Sequence, residues 1–337
     1  SLKVELDEKY PWLWTMILFI AGSIFTTFVI QWLLLDSELF ARTSNYKCFL
    51  NVLCCLVVYF VVQLFTNNSG LSCIISHVTL LCFAFVNYFV YLFRGNEFQF
   101  ADMRSIGTGL SVAGNYQLRL NDKGAYVIFA TALFIAFVRK CHIKFAHAWK
   151  MRIIDVMLAT IACMTVVVNA YDVNTETWEQ KGTYRNGYIL NFILGIRDSF
   201  VSAPDGYSAD VIAQLGKQYE ADDKDDSKTD VKDSTVIVIM NESFSDLSVL
   251  GDLNTNVEVT PFMDSLKENT TKGYALSSVF GAKTPNSEWE YLTGNSMAFL
   301  PSGSVVYQQY ISDTPTSIVS NLKDIGYTCV AMHPYYE

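Results

Sequence analysis

Five long apolar runs occupy the first half of the chain and constrain its fold more than any other feature. A helix needs roughly 20 apolar residues to cross a bilayer, where irregular backbone would lack hydrogen-bond partners. We therefore expect an α-helical polytopic membrane domain of about five spans over residues 1–170. The runs are Trp12–Leu35, Cys48–Phe65, Leu71–Phe93, Ala125–Val138 and Ile153–Ala170.

The loop 139–152 predicts the orientation of this domain, because it carries five basic side chains and no acidic one. Positively charged loops stay in the cytoplasm, so the last span would deliver everything after Ala170 to the extracytoplasmic side. The run Ala125–Val138 is short for a span, and we count it as one. If it does not cross, only the side of the N-terminus changes.

Charge and cysteine content exclude several classes of protein. The net charge of −9 disfavours a general nucleic-acid binder. The eight cysteines show no metal-binding spacing, and most lie within apolar runs. The first apolar run is too long for a cleaved signal peptide and predicts an anchor.

Residues 171–233 are expected to form an extracytoplasmic connector. Apolar residues at helical spacing predict an amphipathic helix over Asn186–Val201. This helix would either hold the external domain near the bilayer surface or simply dock on that domain. Glu220–Asp233 mixes acidic residues with lysines and predicts a solvated spacer.

Residues 234–337 alternate short β-rich runs with helices, which predicts a parallel α/β sheet. The expected strands are Thr235–Met240, Tyr274–Phe280 and Thr328–Met332. Helices are expected to begin at Thr260-Pro261 and at Thr284-Pro285, and a third over Ile318–Ile325 would stop at Gly326. Because such domains commonly exceed 200 residues, we expect a fragment of a longer reading frame, truncated at its C-terminus.

Three candidate functional residues follow the three expected strands, where ligands of open α/β sheets bind. They are Glu242, Thr284 and His333. A carboxylate and a hydroxyl are suitable ligands for Mg²⁺ or Mn²⁺, and a metal-bound hydroxyl is a better nucleophile. Thr284 would also face phosphate at a helix N-terminus.

Each residue has a plainer interpretation, which the spacing leaves open. Thr284 would serve only as an N-cap, with Pro285 as the first helical residue. Glu242 would be a turn or cap residue, and His333 a satisfied histidine at a strand end.

Four segments nevertheless resemble the lipoteichoic acid synthase family of bacterial phosphoglycerol transferases, which belongs to the alkaline phosphatase and sulfatase superfamily. The segments are VIVIMNESFSDL, VTPFMDSL, GAKTPNSEWEYLTGNS and GYTCVAMHPYYE. The layout of five spans and an external domain is similar too. Residues 234–337 are thereby identified as the N-terminal part of a sulfatase-like catalytic domain.

The resemblance implies roles for the three candidates. Glu242 and Thr284 would bind a Mn²⁺ or Mg²⁺ ion, Thr284 would be the nucleophile, and His333 would contact the glycerophosphate substrate. The family completes its metal site with a downstream Asp-His pair that this chain lacks, so the truncated chain alone should be inactive. The motif after Lys283 lacks the Cys or Ser and the Arg of sulfatases proper, which disfavours sulfate-ester hydrolysis.

The function that the resemblance implies is transfer of glycerophosphate from phosphatidylglycerol, through a covalent Thr284 intermediate, to a teichoic acid, a glycolipid or another cell-envelope acceptor. This describes a multi-pass enzyme of the bacterial membrane with an extracytoplasmic catalytic domain, active in lipoteichoic acid biosynthesis at the cell wall. The alternatives are a phosphoethanolamine transferase of the same superfamily and a non-catalytic membrane scaffold.

Overall fold

The chain forms two units in the computed structural model, residues 1–201 with 300–304, and residues 202–299 with 305–337. The first unit is helical and apolar, and the second carries the candidate site residues. The structure describes residues 4–5, 10–35, 43–107, 119–143, 148–175, 181–201, 203, 205–220, 234–241, 244–279, 283–300 and 304–333.

Five long helices and one short strand pair build the first unit. The strands β1 (Val4–Glu5) and β2 (Cys141–His142) pair in parallel. The helices are α1 (Pro11–Leu34), α2 (Asn45–Thr66), α3 (Ser69–Arg94), α4 (Asp122–Val138) and α5 (Ala148–Ala170).

Among the described residues, four helices are long and apolar enough to cross a membrane. These are Pro11–Leu34, Asn45–Thr66, Ser69–Phe93 and Trp149–Ala170. Helix α4 forms where the fourth apolar run predicts it, but it has only 17 residues. It is therefore about 26 Å long, against a hydrocarbon thickness of about 30 Å. The four helices support a membrane domain, and a crossing by α4 stays a prediction.

Short polar segments explain where neighbouring helices begin and end. Ser44 Oγ accepts a hydrogen bond from the N–H of Lys47 at 3.3 Å and caps α2. Asn68 Oδ1 accepts one from the N–H of Leu71 at 3.0 Å and caps α3. Gly95, with φ of 72°, ends α3 in the left-handed conformation that glycine tolerates best.

Successive long helices run in opposite directions, so the bundle has two distinct ends. At one end the starts of α1 and α3 meet through the hydroxyls of Thr15 and Ser69, 2.8 Å apart. At the other, Tyr46 near the start of α2 donates to Asn169 near the end of α5 at 2.6 Å. We call this second end the Glu97 end, because Glu97 follows the last turn of α3 there.

Polar side chains inside the bundle bond across helices. His77 Nδ1 lies 2.8 Å from Thr26 Oγ1, and its Nε2 lies 3.1 Å from Thr131 Oγ1. Thr26 Oγ1 lies 2.8 Å from the Tyr59 hydroxyl. Such bonds satisfy polar groups where no water reaches them, so packing accounts for this histidine.

The predicted amphipathic helix is present as α7 (Tyr188–Asp198), which follows the short helix α6 (Lys181–Asn186). Asn51 of α2 holds the junction between them. Its Nδ2 donates to the carbonyl of Asn186 at 2.6 Å, and its Oδ1 accepts from the N–H of Leu190 at 3.0 Å. Helix α7 therefore packs on the Glu97 end of the bundle.

Three short helices of the second unit lie where the sequence predicts them. Thr260-Pro261 and Thr284-Pro285 both open helices, and the last helix ends before Gly326. The helices are α8 (Ala209–Glu220), α9 (Pro261–Ser265), α10 (Thr284–Thr293), α11 (Val306–Gln309) and α12 (Ile318–Asp324), and 3₁₀ turns cover Leu247–Leu250 and Met297–Phe299.

The three expected strands are not hydrogen-bonded into a ladder within the described residues. Their apolar side chains are open to solvent, with Ile237 79% exposed and Leu276 fully exposed. A strand is stable only when neighbouring strands satisfy its backbone and cover its apolar faces. Phe280 lies outside the described residues, and the α/β sheet stays a prediction.

Candidate active site

Thr284 is the first residue of helix α10, and the residue before it decides how that helix starts. Lys283 is the N-cap, with φ of 64° and ψ of 33° in the left-handed region. A residue with a Cβ takes this conformation at a cost of roughly 1–2 kcal/mol. The N-cap is thus one residue earlier than the plainer interpretation of Thr284 requires.

The Thr284 hydroxyl is available for chemistry. The side chain is half-buried, and no hydrogen bond engages its Oγ1 within the described part of the chain. The positive dipole end of α10 lies beside it and favours an anion. A free hydroxyl beside an anion-attracting helix end suits attack on a phosphate ester.

Asn286 anchors the first turn of this helix. Its side chain is only 2% exposed, and its Oδ1 accepts a hydrogen bond from the N–H of Val306 at 3.1 Å. Its own N–H donates to the carbonyl of Lys283 at 2.9 Å, which stabilises the tight turn before Thr284. Sequence reasoning missed Asn286, because an asparagine in a first helical turn is usually solvated and no pattern marks this one as buried.

A second set of bonds ties α10 to the segment that leads into its turn. Ser277 Oγ lies 3.3 Å from Ser287 Oγ, and Ser278 donates to Glu290 Oε2 at 2.7 Å. Glu290 Oε1 accepts from the N–H of Met297 at 2.6 Å. The approach to the turn and the exit from the helix are therefore held on both sides of Thr284.

Of the other two candidates, the structure describes only His333. Glu242 lies outside the described residues, so its predicted position as a metal ligand is untested. His333 is exposed, and it shares no hydrogen bond with Thr284. Its predicted contact with a substrate is a hypothesis from the sequence alone.

The segment beside Glu242 is ordered through Asp246. The Asp246 side chain accepts a hydrogen bond from the N–H of Ser248 at 2.9 Å and another from the Tyr274 hydroxyl at 3.1 Å. These bonds hold the pKa of Asp246 below its usual value, with the bonds from Ser248 as the main cause. The segment after the first predicted strand is thereby linked to the start of the second.

Within the described residues, the Thr284 hydroxyl offers a divalent cation an oxygen donor at this helix start. In the described ranges, which omit Glu242, no three His, Cys, Asp or Glu side chains gather into a metal-binding group. The unbonded Thr284 oxygen fits a single ligand position, and hard cations take six or more oxygen ligands. Thr284 needs further donors, of which Glu242 is the predicted first.

Comparison with known proteins agrees with these observations. Residues 234–337 match the sulfatase family. A protein of Rhizobium meliloti (strain 1021), named as a cyclic beta-1,2-glucan modification protein, is 38% identical over 160 residues. The match covers 47% of this chain and 24% of that protein, so the chain spans about a quarter of its relative. No solved structure matches.

Enzymes of the sulfatase superfamily generally depend on a metal. Residues 234–337, which match that family, follow helices that are apolar enough to cross a membrane. Both findings fit a phosphoryl-group transferase. Residues 234–337 are similar to the sulfatase family over their whole length.

Proposed function

We propose that this protein is a phosphoglycerol transferase that moves glycerophosphate from phosphatidylglycerol to an acceptor of the cell envelope. The observation that supports it best is the Thr284 hydroxyl, free of hydrogen bonds within the described residues, at the start of a helix in a sulfatase-family domain. The apolar helices that precede this domain in the sequence suit a lipid donor.

In the proposed reaction the Thr284 hydroxyl oxygen attacks the phosphorus of phosphatidylglycerol. The bond from phosphorus to the diacylglycerol oxygen breaks, and diacylglycerol leaves with a proton. Glycerophosphate stays esterified to Thr284. An acceptor hydroxyl then attacks the same phosphorus, the Thr284 ester breaks, and a proton returns to Thr284.

In the same proposal Glu242 and Thr284 hold a Mn²⁺ or Mg²⁺ ion. When bound, such an ion lowers the pKa of the hydroxyl and offsets negative charge on the phosphate oxygens. His333 would contact the glycerophosphate. The helix N-terminus at Thr284 would favour the anionic group in both steps.

The proposed topology has residues 1–170 in the bacterial membrane, the connector 171–233 outside and the domain 234–337 extracytoplasmic. It uses five crossings, with α4 as the short one. The described start of the basic loop lies at the Thr15–Ser69 end of the bundle, because the Cys141 carbonyl is close to Gly70, and this end would be cytoplasmic.

The acceptor is proposed from chemistry and from the relative. A teichoic acid chain or a glycolipid offers primary hydroxyls, and the Rhizobium relative is named for modification of a cyclic glucan. A cell-envelope glucan is therefore an acceptor to test beside these two.

The decisive experiment reconstitutes the full-length protein with fluorescent phosphatidylglycerol and Mn²⁺ and measures release of diacylglycerol. Thr284→Ala should abolish release, and Thr284→Ser should retain part of it because the hydroxyl is kept. Intact-mass analysis without an acceptor should show one glycerophosphate on the wild type and none on Thr284→Ala.

Thr293→Ala is the matched control, because Thr293 lies in the last turn of the same helix, where its hydroxyl donates to the carbonyl of Trp289 at 2.7 Å and accepts from the N–H of Asn295 at 3.2 Å. It should leave release unchanged. Consumption of phosphatidylethanolamine in place of phosphatidylglycerol would favour the rival transferase. No reaction with either lipid would favour a scaffold and overturn the proposal.

A further inference from the structure

A cavity of about 240 Å³ lies at the Glu97 end of the first unit, between the segment after α3 and helix α7. It is separate from Thr284, which belongs to the second unit. Its lining includes Glu97, Phe100, Thr175, Phe192, Asp198 and Ser199. Its volume suits a group smaller than a drug-sized ligand, for which pockets begin at roughly 300 Å³.

A buried carboxylate forms part of the cavity wall. Glu97 is 2% exposed, its Oε1 accepts a hydrogen bond from the N–H of Thr183 at 2.8 Å, and its Oε2 accepts a long one from Asn191 at 3.4 Å. A carboxylate in such a place is costly unless donors or a cation compensate for the lost water.

Aromatic rings form another part of the wall. The ring of Phe192 stacks on that of Phe98 at 6.2 Å with 13° between planes, and it meets Phe100 edge-on at 6.2 Å. Tyr188 lies 6.5 Å from the same ring. Aromatic faces carry partial negative charge and attract cations within about 6 Å of the ring centre.

Several of the other polar groups on the wall offer lone pairs. The Thr175 hydroxyl donates its proton to Asp198, and the Ser199 hydroxyl donates to the carbonyl of Gly195 at 2.6 Å. Asp198 itself is an acceptor, and it pairs with the neighbouring Arg197 at 2.5 Å. A sugar or glycerol needs donors and acceptors together, whereas an ammonium group needs acceptors and aromatic faces.

The position of the cavity suggests where such a group comes from. Arg197, next to the cavity, bonds the carbonyls of Ala170, Tyr171 and Val173 just after the last candidate span. Phe98 follows α3 and donates its N–H to Asn87 of that helix at 2.6 Å. The cavity is therefore level with the ends of apolar helices, where lipid head groups lie.

We propose that this cavity binds a small organic ammonium group, with Glu97 as its charge partner and Phe100 and Phe192 as its aromatic wall. The ligand is an aminoalkyl lipid head group or a free amine of the same chemistry. The proposal does not rest on the transfer reaction at Thr284.

Binding of ethanolamine to the full-length protein in detergent tests the proposal, with calorimetry as the readout and glycerol as the uncharged comparison. Ethanolamine should bind and glycerol should not. Glu97→Gln keeps the shape and removes the charge, so it should weaken binding at least tenfold. Phe192→Leu is a second test, because it removes part of the aromatic wall, leaves Glu97 in place and should also weaken binding.

Glu258→Gln, an exposed carboxylate in the second unit, is the matched control and should bind ethanolamine as the wild type does. Nanodiscs with equal phosphatidylethanolamine and phosphatidylglycerol distinguish the sources, since a head-group site should retain phosphatidylethanolamine through purification and a free-amine site should not. Equal binding of glycerol, no binding of ethanolamine, or full binding by a folded Glu97→Gln variant would each overturn the proposal.

Discussion

Asn286 Oδ1 accepts a hydrogen bond from the N–H of Val306 at 3.1 Å, and this bond fixes the helix that presents Thr284. Both residues are almost fully buried, with 2% and 1% of their surfaces exposed. A buried bond of this kind costs more to break than it contributes when made, because a desolvated N–H is left without a partner.

Asn286→Ala should therefore destabilise the second unit by about 1–3 kcal/mol. It should also reduce phosphatidylglycerol turnover without removing the nucleophile. Thermal unfolding of the full-length protein in detergent, followed by the diacylglycerol assay, measures both effects. Asn295→Ala is the control at an exposed asparagine, and an equal effect of the two substitutions would contradict the assigned role.

Gly187→Ala should destabilise the first unit. Gly187 has φ of 79°, and a Cβ there would overlap the side chain of Asn51, which holds the junction of α6 and α7. Gly195→Ala is the opposite case on the same helix, because an added Cβ meets nothing within 4 Å. It should be neutral or stabilising by up to about 1 kcal/mol through helix propensity. Relative to the wild type, the unfolding midpoint should fall for Gly187→Ala and should stay the same or rise for Gly195→Ala.

Arg197→Lys should destabilise the first unit almost as much as Arg197→Ala does. The guanidinium bonds three carbonyls after α5 at 3.1, 2.6 and 2.9 Å, and a lysine ammonium cannot reproduce that planar fork. Both variants should unfold at lower temperature and be cut faster by protease in the segment after Ala170. Arg152→Lys, exposed in the first turns of the same helix, should change neither measurement.

Glu97 should make the first unit less stable as the pH rises toward 8. Burial raises the pKa of Glu97 from 4.5 to about 7, although bonds from Thr183 and Asn191 oppose the shift. The folded protein therefore binds a proton that the unfolded chain has released between about pH 4.5 and 7, so stability falls as pH rises through that window.

The measurement compares the unfolding midpoints of wild type and Glu97→Gln from pH 5 to pH 8 in an amine-free buffer. Glutamine does not titrate, so the unfolding midpoint of the wild type should fall relative to that of the variant as pH rises. A constant difference across the range would contradict the raised pKa.

The amino-acid sequence by itself determined the elements that depend on local pattern. Apolar runs of about 20 residues can be satisfied only as helices in a bilayer, and four of the five predicted runs form helices of that length. Thr-Pro pairs and Gly326 place helix ends correctly, because backbone geometry near proline and glycine is a local property. The resemblance of the motif around Thr284 to the sulfatase superfamily also follows from the sequence alone.

The tertiary structure decided what depends on distant residues. It put the N-cap at Lys283, buried Asn286 against Val306, and brought Glu97, Phe100 and Phe192 around one cavity. None of these follows from periodicity, because burial and hydrogen-bond partners are set by segments far apart in the chain. The same holds for the expected strands, because a strand is stabilised by pairing with neighbouring strands and not by its own sequence alone.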